Sequence, residues 1–237
     1  MIEKLLPSQV MVEECLGDPD PLPAMHPDEE HLVARAVDKR RREFTTVRHC
    51  ARTALARLGQ PAVPLLPGER GAPVWPDGVV GSMTHCDGYR AAAVASQTHV
   101  RSVGLDAEPN QPLPNEGVFE MISRPEEREW IRRLERERPE VSWGRLLFSA
   151  KESVYKTWFP LTRKWLDFDE ASLTVDPDAG TFRAELLVPG PTVDGIRVSG
   201  FDGAWSVGEG LVVTAITLVA KPELPSQRSA SAAESHG

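Results

Sequence analysis

Three carboxylates and a lysine have the residue types and spacings best suited to chemistry in this chain. Asp106 and Glu108 are two residues apart, so in a strand both side chains project from the same face. Glu152 and Lys156 are four residues apart, so in a helix they share one face. Oxygen ligands suit a hard cation such as Mg²⁺, which usually also keeps waters and substrate phosphates. Brought together, the two elements predict a metal–phosphate site.

Each pair also has a plainer interpretation, and two nearby motifs indicate other chemistry. Acids at a strand end are often turn residues or caps, and an i,i+4 Glu–Lys pair is often a surface salt bridge. Ser153 and Lys156 match the S-x-x-K motif of penicillin-binding proteins, but the companion motifs S-D-N and K-T-G are absent. His85 and Cys86 invite a cysteine-protease interpretation, but adjacent side chains rarely form a nucleophile–base pair.

The composition narrows the class of protein. The chain has 237 residues, of which 41% are hydrophobic and 26% charged, an ordinary balance for a soluble globular protein. A net charge of −8 argues against a general nucleic-acid binder. We find no apolar stretch long enough to span a membrane and no signal peptide. The three cysteines form no CxxC pair, which fits reduced thiols, so we expect a cytoplasmic protein. We also expect a monomer.

One stretch is basic in spite of the overall charge. From Arg35 to Arg57 there are eight Lys/Arg and two acids, a local charge of +6. Helical spacing over 28–58 predicts a helix that Gly59 ends. Its apolar face consists of Phe44, Val47, Ala51, Ala54, Leu55 and Leu58. Beside that face runs a stripe of arginines, Arg41, Arg48 and Arg52, which indicates a local anion site, with a solvated helix flank as the alternative.

The acids are positioned by a predicted strand. Two apolar runs, Ala91–Ala95 and Val100–Leu105, are joined by the polar turn 96–99 and predict a β-hairpin. The second strand of that hairpin would deliver Asp106 and Glu108 at its end.

The second half of the chain begins with two predicted helices. The first covers 123–138, with a capping box from Ser123 to Glu126. The second covers about 142–159 and carries Glu152 and Lys156. Its apolar side, opposite these two residues, consists of Trp143, Leu147, Ala150, Val154 and Trp158. Strand-like runs follow at 172–175, 182–188, 196–199, 204–207 and 211–219, and the last two predict a second hairpin, Ala204–Val219. Helices and strands without strict βαβ alternation predict an α+β fold.

Five motifs, in this order, resemble the Sfp-type (EntD-like) 4′-phosphopantetheinyl transferases. The resemblance covers about residues 35–160, and the last two motifs are the signature of that family. The motifs are FTTVRHCAR at 44–52, GAP at 71–73, GSMTH at 81–85, VGLDAE at 103–108 and FSAKESVYK at 148–156. The family often has Trp where Phe148 stands and Ser where Cys86 stands, and neither departure removes a charged group.

The resemblance implies two similar, pseudo-two-fold-related α+β lobes in one chain, with the active site in the cleft between them. The N-terminal lobe would be 1–110, with the basic helix and the hairpin that ends in Asp106 and Glu108. The C-terminal lobe would be 111–220, with the Glu152/Lys156 helix and antiparallel strands. Residues 221–237 are Ser/Ala-rich and are predicted to be a disordered tail.

The resemblance also implies an activity. The family transfers the 4′-phosphopantetheine arm of coenzyme A to a serine of an acyl or peptidyl carrier protein and releases 3′,5′-ADP. Such carriers serve polyketide, nonribosomal peptide or fatty acid synthesis, often in secondary metabolism. Coenzyme A would be a co-substrate, and the metal would be Mg²⁺ or Mn²⁺, since both take oxygen ligands.

The family's roles carry over to individual residues. Asp106, Glu108 and Glu152 would hold the metal, and Lys156 would neutralise charge that develops on the pyrophosphate. Glu152 is also a candidate base for the incoming serine. Coenzyme A would be bound through Arg48 at its 3′-phosphate, with Arg41 and Arg70 as helpers, and through Thr84, His85 and Lys156 at its phosphates.

Two further functions use the same residues. One is a Mg²⁺-dependent phosphohydrolase with the same carboxylates, which would need no carrier protein. The other is a non-catalytic module that binds coenzyme A or a carrier, which would bind without turnover.

Overall fold

The computed structural model describes residues 1–221. Within that range the α-helices are α1 (Asp38–Arg57), α2 (Glu116–Ile122), α3 (Pro125–Glu137) and α4 (Trp143–Thr162). The strands of the first half are β1 (Val10–Leu16), β2 (Val79–Cys86), β3 (Tyr89–Ser96) and β4 (Val100–Pro109). Those of the second half are β5 (Ala171–Asp176), β6 (Thr181–Leu186), β7 (Thr192–Val193), β8 (Ile196–Arg197), β9 (Gly200–Gly208) and β10 (Leu211–Val219).

The strands form two antiparallel sheets and a short ribbon. One sheet has the order β1-β3-β2, and the other has the order β4-β10-β9-β6-β5. Strands β7 and β8 pair with each other. Helix α1 packs on the first sheet, and α4 packs on β4 and β10 of the second. The predicted α+β class is confirmed, with one long helix packed on each of the two main sheets.

Strand β3 explains how the layers are stacked. Its alanine-rich run is buried on both faces, because successive side chains point to opposite sides. Ala92 and Val94 pack with α1, whereas Ala91, Ala93 and Ala95 join the core formed with β4 and β10. Small side chains on β3 therefore let helix, sheet, sheet and helix lie in consecutive layers.

The predicted hairpin between residues 91 and 105 is wrong. Residues 96–99 do connect β3 to β4, but β3 pairs with β1 and β2, whereas β4 pairs with β10. A strand has only two edges, and both edges of β3 are already occupied. The chain therefore crosses to the other sheet, and Asp106 and Glu108 lie on a strand of the five-stranded sheet. The other hairpin indicated by the sequence, β9–β10, is confirmed.

The first predicted helix is shorter than its pattern. Pro27–Val33 forms a 3₁₀ helix, and Val37 is extended, so α1 begins at Asp38. Gly59 follows the helix with a φ of +76°, a conformation that glycine adopts without a steric penalty. The apolar face is confirmed, since Phe44, Val47 and Leu55 are buried.

The two predicted helices of the second half follow their patterns closely, whereas α2 was not predicted. The capping contact is displaced by one residue from the prediction: the Glu127 carboxylate, not that of Glu126, accepts from the backbone N–H of the helix N-cap, Arg124, at 2.7 Å. The predicted apolar side of α4 is buried, and its members are Trp143, Leu147, Ala150, Val154 and Trp158. Helix α4 continues past Pro160 to Thr162.

A buried ion pair fastens α4 to its surroundings. Lys151 Nζ donates to the Glu127 carboxylate at 2.8 Å and to the Phe168 carbonyl at 2.6 Å. Glu127 also accepts from the Leu173 N–H at 2.8 Å, so its buried carboxylate is fully hydrogen-bonded. This pair fixes the helix face that carries the neighbouring Glu152.

Gly104 lets α4 lie directly on β4. A Cβ at this position would come within 2.1 Å of the Ser153 carbonyl oxygen and 2.2 Å of Thr157 Oγ1. The neighbouring Ser102 hydroxyl donates to the Thr157 carbonyl at 2.8 Å. The closeness of helix and strand therefore depends on the missing side chain.

No helix within residues 1–221 is long and apolar enough to cross a membrane. The predicted tail lies outside the described residues, apart from Lys221.

We expect Gly104→Ala to lower the free energy of unfolding by about 1–3 kcal/mol or more, because the methyl group overlaps α4 backbone atoms. Urea denaturation followed by circular dichroism measures this. Gly208→Ala is the matched control, since its methyl group would meet only the Met1 side chain, at 3.4 Å. Equal midpoints for the two variants would show that α4 does not need the glycine.

Candidate active site

Asp106 and Lys156 meet where α4 crosses the end of β4. Lys156 Nζ donates to Asp106 Oδ1 at 2.7 Å and to the Leu105 carbonyl at 3.1 Å. The Thr84 hydroxyl donates to the same Asp106 Oδ1 at 3.1 Å. The second oxygen, Asp106 Oδ2, is buried and has no hydrogen-bond partner among the described residues. The acid from the strand and the base from the helix thus form one site.

Glu108 lies next to this pair and is balanced by a residue that the sequence analysis did not select. Arg145 Nη1 donates to the Glu108 carboxylate at 3.1 Å and Nη2 donates to the Pro112 carbonyl at 2.9 Å. Burial, and secondarily the charge of Asp106, raise the pKa of Glu108 to about 7, against the opposing effect of Arg145. Arg145 is seven residues before Glu152, so helical spacing places it on the same face.

Glu152 completes the set of acids. Burial raises its pKa above the ordinary value, the Lys156 charge lowers it and the Asp106 charge raises it. Three carboxylates here have two cationic neighbours, Lys156 and Arg145. The site is therefore short of positive charge.

The residues fit a hard cation that completes its coordination with oxygen atoms from elsewhere. Asp106 Oδ2 is a free, buried carboxylate oxygen, the kind of donor Mg²⁺ prefers. No three His, Cys, Asp or Glu side chains within residues 1–221 are grouped closely enough to hold a metal by themselves. Mg²⁺ is commonly held by one or two carboxylates together with waters and substrate phosphates.

A cavity of about 570 Å³ extends from this group between the two halves of the chain. Both α1 and α4 contribute to its wall, together with residues 68–74 and strand β2. Its charged wall residues are one acid, Glu152, and six cations: Arg40, Arg48, Arg70, Arg101, Arg163 and Lys156. Among the described residues that line it the balance is strongly positive, so the cavity suits an anion.

Arg48 is the buried cation of this wall. Its guanidinium lies 3.4 Å from the centroid of the Phe44 ring, and Nε donates to the Leu65 carbonyl at 3.1 Å. Burial lowers the pKa of Arg48 to about 10, so it remains charged at neutral pH. A desolvated, oriented guanidinium is suited to bind a phosphate.

His85 lies at the rim of the cavity beside Arg40. The two residues are 2.7 Å apart, measured from His85 Nε2 to Arg40 Nη1. Burial, and secondarily the charge of Arg40, lower the pKa of His85 below its ordinary value of 6.5. His85 is therefore mostly neutral at pH 7.

Of the three other residues predicted to bind coenzyme A, one lines the cavity and two do not. Arg70 lines the cavity, with a φ of +53° and its guanidinium 5.3 Å from the Trp165 ring centroid. Arg41 is exposed and is absent from the cavity wall; it lies near the Val33 carbonyl. Thr84 is buried, and its hydroxyl bonds to β4 rather than facing the cavity.

Sequence reasoning missed several wall residues. Arg40, not Arg41, faces the cavity. Both residues are at helical spacing from Phe44 and Arg48, so spacing alone does not distinguish them. Arg52, the last arginine of the predicted stripe, pairs with the fully buried Glu29 at 2.8 Å. No local signal in the sequence distinguishes Arg40 from Arg41, and nothing local to Arg101 places it at this wall.

The two alternative nucleophiles are poorly placed. Ser153 is fully buried and its hydroxyl lies 2.7 Å from that of Thr214, so it is not accessible to a β-lactam. Burial raises the pKa of Cys86 to about 12, the opposite of what activates a thiol nucleophile. The S-x-x-K and cysteine-protease interpretations therefore have no support here.

We expect Arg40→Gln to raise the pKa of His85 toward 6.5, because it removes a positive charge that disfavours the imidazolium form of His85. The titration of the imidazole signals by NMR measures this pKa. Lys39→Gln is the matched control, because the Lys39 ammonium group pairs with Asp87 at 2.8 Å instead of contacting His85. An unchanged pKa in Arg40→Gln would mean that the two side chains are not in contact in solution.

Comparisons with known proteins agree with this geometry. A family model for the 4′-phosphopantetheinyl transferase N-terminal domain matches residues 28–95, and one for the 4′-phosphopantetheinyl transferase superfamily matches 102–198. The chain is 61% identical to the 4′-phosphopantetheinyl transferase Svp of Streptomyces mobaraensis, over 98% of this chain and 95% of that protein.

Two further relatives match over most of their length. The chain is 53% identical to the transferase Npt of Nocardia iowensis, over 91% of this chain and 99% of that protein. It is 48% identical to PptT of Mycobacterium tuberculosis, over 92% of this chain and 98% of that protein. These matches cover both halves of the chain, including residues on both sides of the cavity. The chain belongs to the 4′-phosphopantetheinyl transferase superfamily.

Proposed function

We propose that this enzyme transfers the 4′-phosphopantetheine arm of coenzyme A to a serine of an acyl or peptidyl carrier protein. The observation that supports this most directly is the cationic cavity, which ends at the Asp106–Lys156 pair. Coenzyme A has phosphates at two separate places, and the cavity has Arg48 at one place and Lys156 at another. The transferase names of three relatives support this reaction rather than a phosphohydrolase.

The reaction is a phosphoryl transfer from the pyrophosphate of coenzyme A to the carrier serine. The serine Oγ forms a bond to the phosphorus that carries the pantetheine arm, and the bond from that phosphorus to the bridging oxygen breaks. 3′,5′-ADP leaves with the bond electrons, and the serine proton passes to a base. Such reactions depend mainly on positioning and on neutralising charge.

The chain's own residues divide this work between them. Lys156 is held by Asp106 and the Leu105 carbonyl, so its ammonium group is oriented to neutralise charge on the pyrophosphate. Glu152 lines the cavity, and its raised pKa suits it to accept the serine proton. Arg48 and the neutral His85 would orient the phosphates of coenzyme A from α1 and β2.

We propose Mg²⁺, with Mn²⁺ as the alternative, as a metal held by one or two of Asp106, Glu108 and Glu152 together with waters and the phosphates of coenzyme A. When bound, it neutralises charge on the pyrophosphate. The whole proposed site lies within one chain, which supports a monomer. The cysteines Cys15, Cys50 and Cys86 are free, which supports a reducing compartment such as the cytoplasm.

We expect Asp106→Ala and Glu152→Ala to lower the transfer rate by about 100-fold or more, because each removes a charge that positions the reacting groups. The assay incubates the protein with coenzyme A, Mg²⁺ and a panel of apo carrier proteins. The measurement is the carrier mass, which should rise by one phosphopantetheine. Exposed Glu126→Ala is the control and should retain the parent rate.

Two outcomes would contradict the proposed function. One is the absence of a mass gain on every carrier of the panel. The other is release of phosphate or 3′,5′-ADP from coenzyme A at the same rate without a carrier, which would identify a phosphohydrolase.

We expect Arg48→Met to raise the KM for coenzyme A about tenfold or more, the effect of one lost hydrogen bond to a charged group. The KM for dephospho-coenzyme A, which lacks the 3′-phosphate, should change little. Arg42→Met is the control on the same helix, since Arg42 is absent from the cavity wall. Equal losses on both substrates would mean that Arg48 does not bind the 3′-phosphate.

A further inference from the structure

The seam between the two sheets is closed by side-chain hydroxyl groups. Strand β4 pairs with β10 along one edge, and its other edge faces β2, which pairs with β3. At that edge the Ser82 hydroxyl accepts from the Leu105 N–H, and the Thr84 hydroxyl accepts from the Ala107 N–H, both at 3.2 Å. Two residues of β2 that are two positions apart thus accept hydrogen bonds from two N–H groups of β4 that are also two positions apart.

Thr84 differs from Ser82 by one further contact. Its hydroxyl also donates to Asp106 Oδ1 at 3.1 Å. A hydroxyl has one proton to donate, and that of Thr84 is given to Asp106. Thr84 is 3% exposed, and its side chain therefore has no donor left for a phosphate of coenzyme A.

The hydrogen bond from Thr84 fixes the orientation of the Asp106 carboxylate. Oδ1 accepts from both Thr84 and Lys156, whereas Oδ2 has no partner within the described residues. Lys156 is 27% exposed and, in the proposed function, also contacts the pyrophosphate, so its ammonium protons are shared between Asp106 and the ligand. Thr84 is on a strand and buried, so its bond to Oδ1 is the one that persists.

We propose that Thr84 is a positioning residue that orients Asp106 so that Oδ2 faces the metal. The inference rests on the proposed function, which makes Asp106 a metal ligand. Residues that hydrogen-bond to a metal ligand fix its orientation, and their loss typically weakens metal binding about 10- to 100-fold. In this proposal Thr84 acts through Asp106, and its hydroxyl does not itself bind a phosphate.

The test compares Thr84→Val with Ser82→Ala. Thr84→Val keeps the shape and removes the hydroxyl, so it loses the bond to β4 and the bond to Asp106. Ser82→Ala loses only the matched bond to β4. The measurement is Mn²⁺ affinity, followed by electron paramagnetic resonance in the presence of coenzyme A and without a carrier, so no transfer is needed.

We expect Thr84→Val to weaken Mn²⁺ binding about 10-fold or more, and Ser82→Ala to leave it at the parent value. Thr84→Ser keeps the donor and should restore the parent affinity. If Thr84→Val does not fold, Thr84→Cys replaces it, because a thiol is only a weak donor and must also weaken the binding.

Two results would overturn the proposal. Equal Mn²⁺ affinities for the Thr84→Val and Ser82→Ala variants would show that Thr84 only closes the seam. An increased KM for coenzyme A with unchanged Mn²⁺ affinity would show that Thr84 binds a phosphate instead. A parent protein that binds Mn²⁺ but modifies no carrier would contradict the proposed function and leave this proposal standing.

Discussion

The contact of α4 with β4 at Gly104 is the constraint on which the site depends. Helix backbone lies where a side chain would normally stand, so α4 approaches the strand more closely than any other residue would allow. Two residues further along the strand, Asp106 meets Lys156, which lies three residues beyond Ser153 on the helix. A larger separation of the two elements would break a 2.7 Å ion pair.

Electrostatics in this protein are organised locally rather than by the total charge. The chain carries a net charge of −8, yet the cavity wall has six cations and one acid among the described residues. Acidic residues inside the site are few, buried or half-buried, and close to one another. Burial and the charge of Asp106 raise the pKa of Glu108 to about 7. The end of the site that holds the three carboxylates lacks positive charge, whereas the cavity wall has an excess of it. This distribution matches a ligand made of a metal ion and several phosphates.

Much of the fold was predictable where a local pattern was sufficient. The apolar faces of α1 and α4, the end of α1 at Gly59 and the β9–β10 hairpin follow from periodicity and from glycine conformation. The β3–β4 hairpin was not predictable by the same means, because the turn 96–99 looks the same whichever strand pairs with β3. Competition from β1 and β2 for the edges of β3 decides the outcome, and that is a contact between residues distant in sequence.

For the candidate site, the sequence by itself determined the residue types and the two spacings: acids two apart for a strand, and an acid and a base four apart for a helix. It also determined the family, since five motifs occur in order. Only the tertiary structure decided that Lys156 bonds to Asp106, that Arg145 balances Glu108, and that Arg40 rather than Arg41 lines the cavity. It also turned the Thr84 hydroxyl toward Asp106. The physical reason is that spacing fixes directions within one element, whereas hydrogen bonds between elements depend on how closely and at what angle those elements pack.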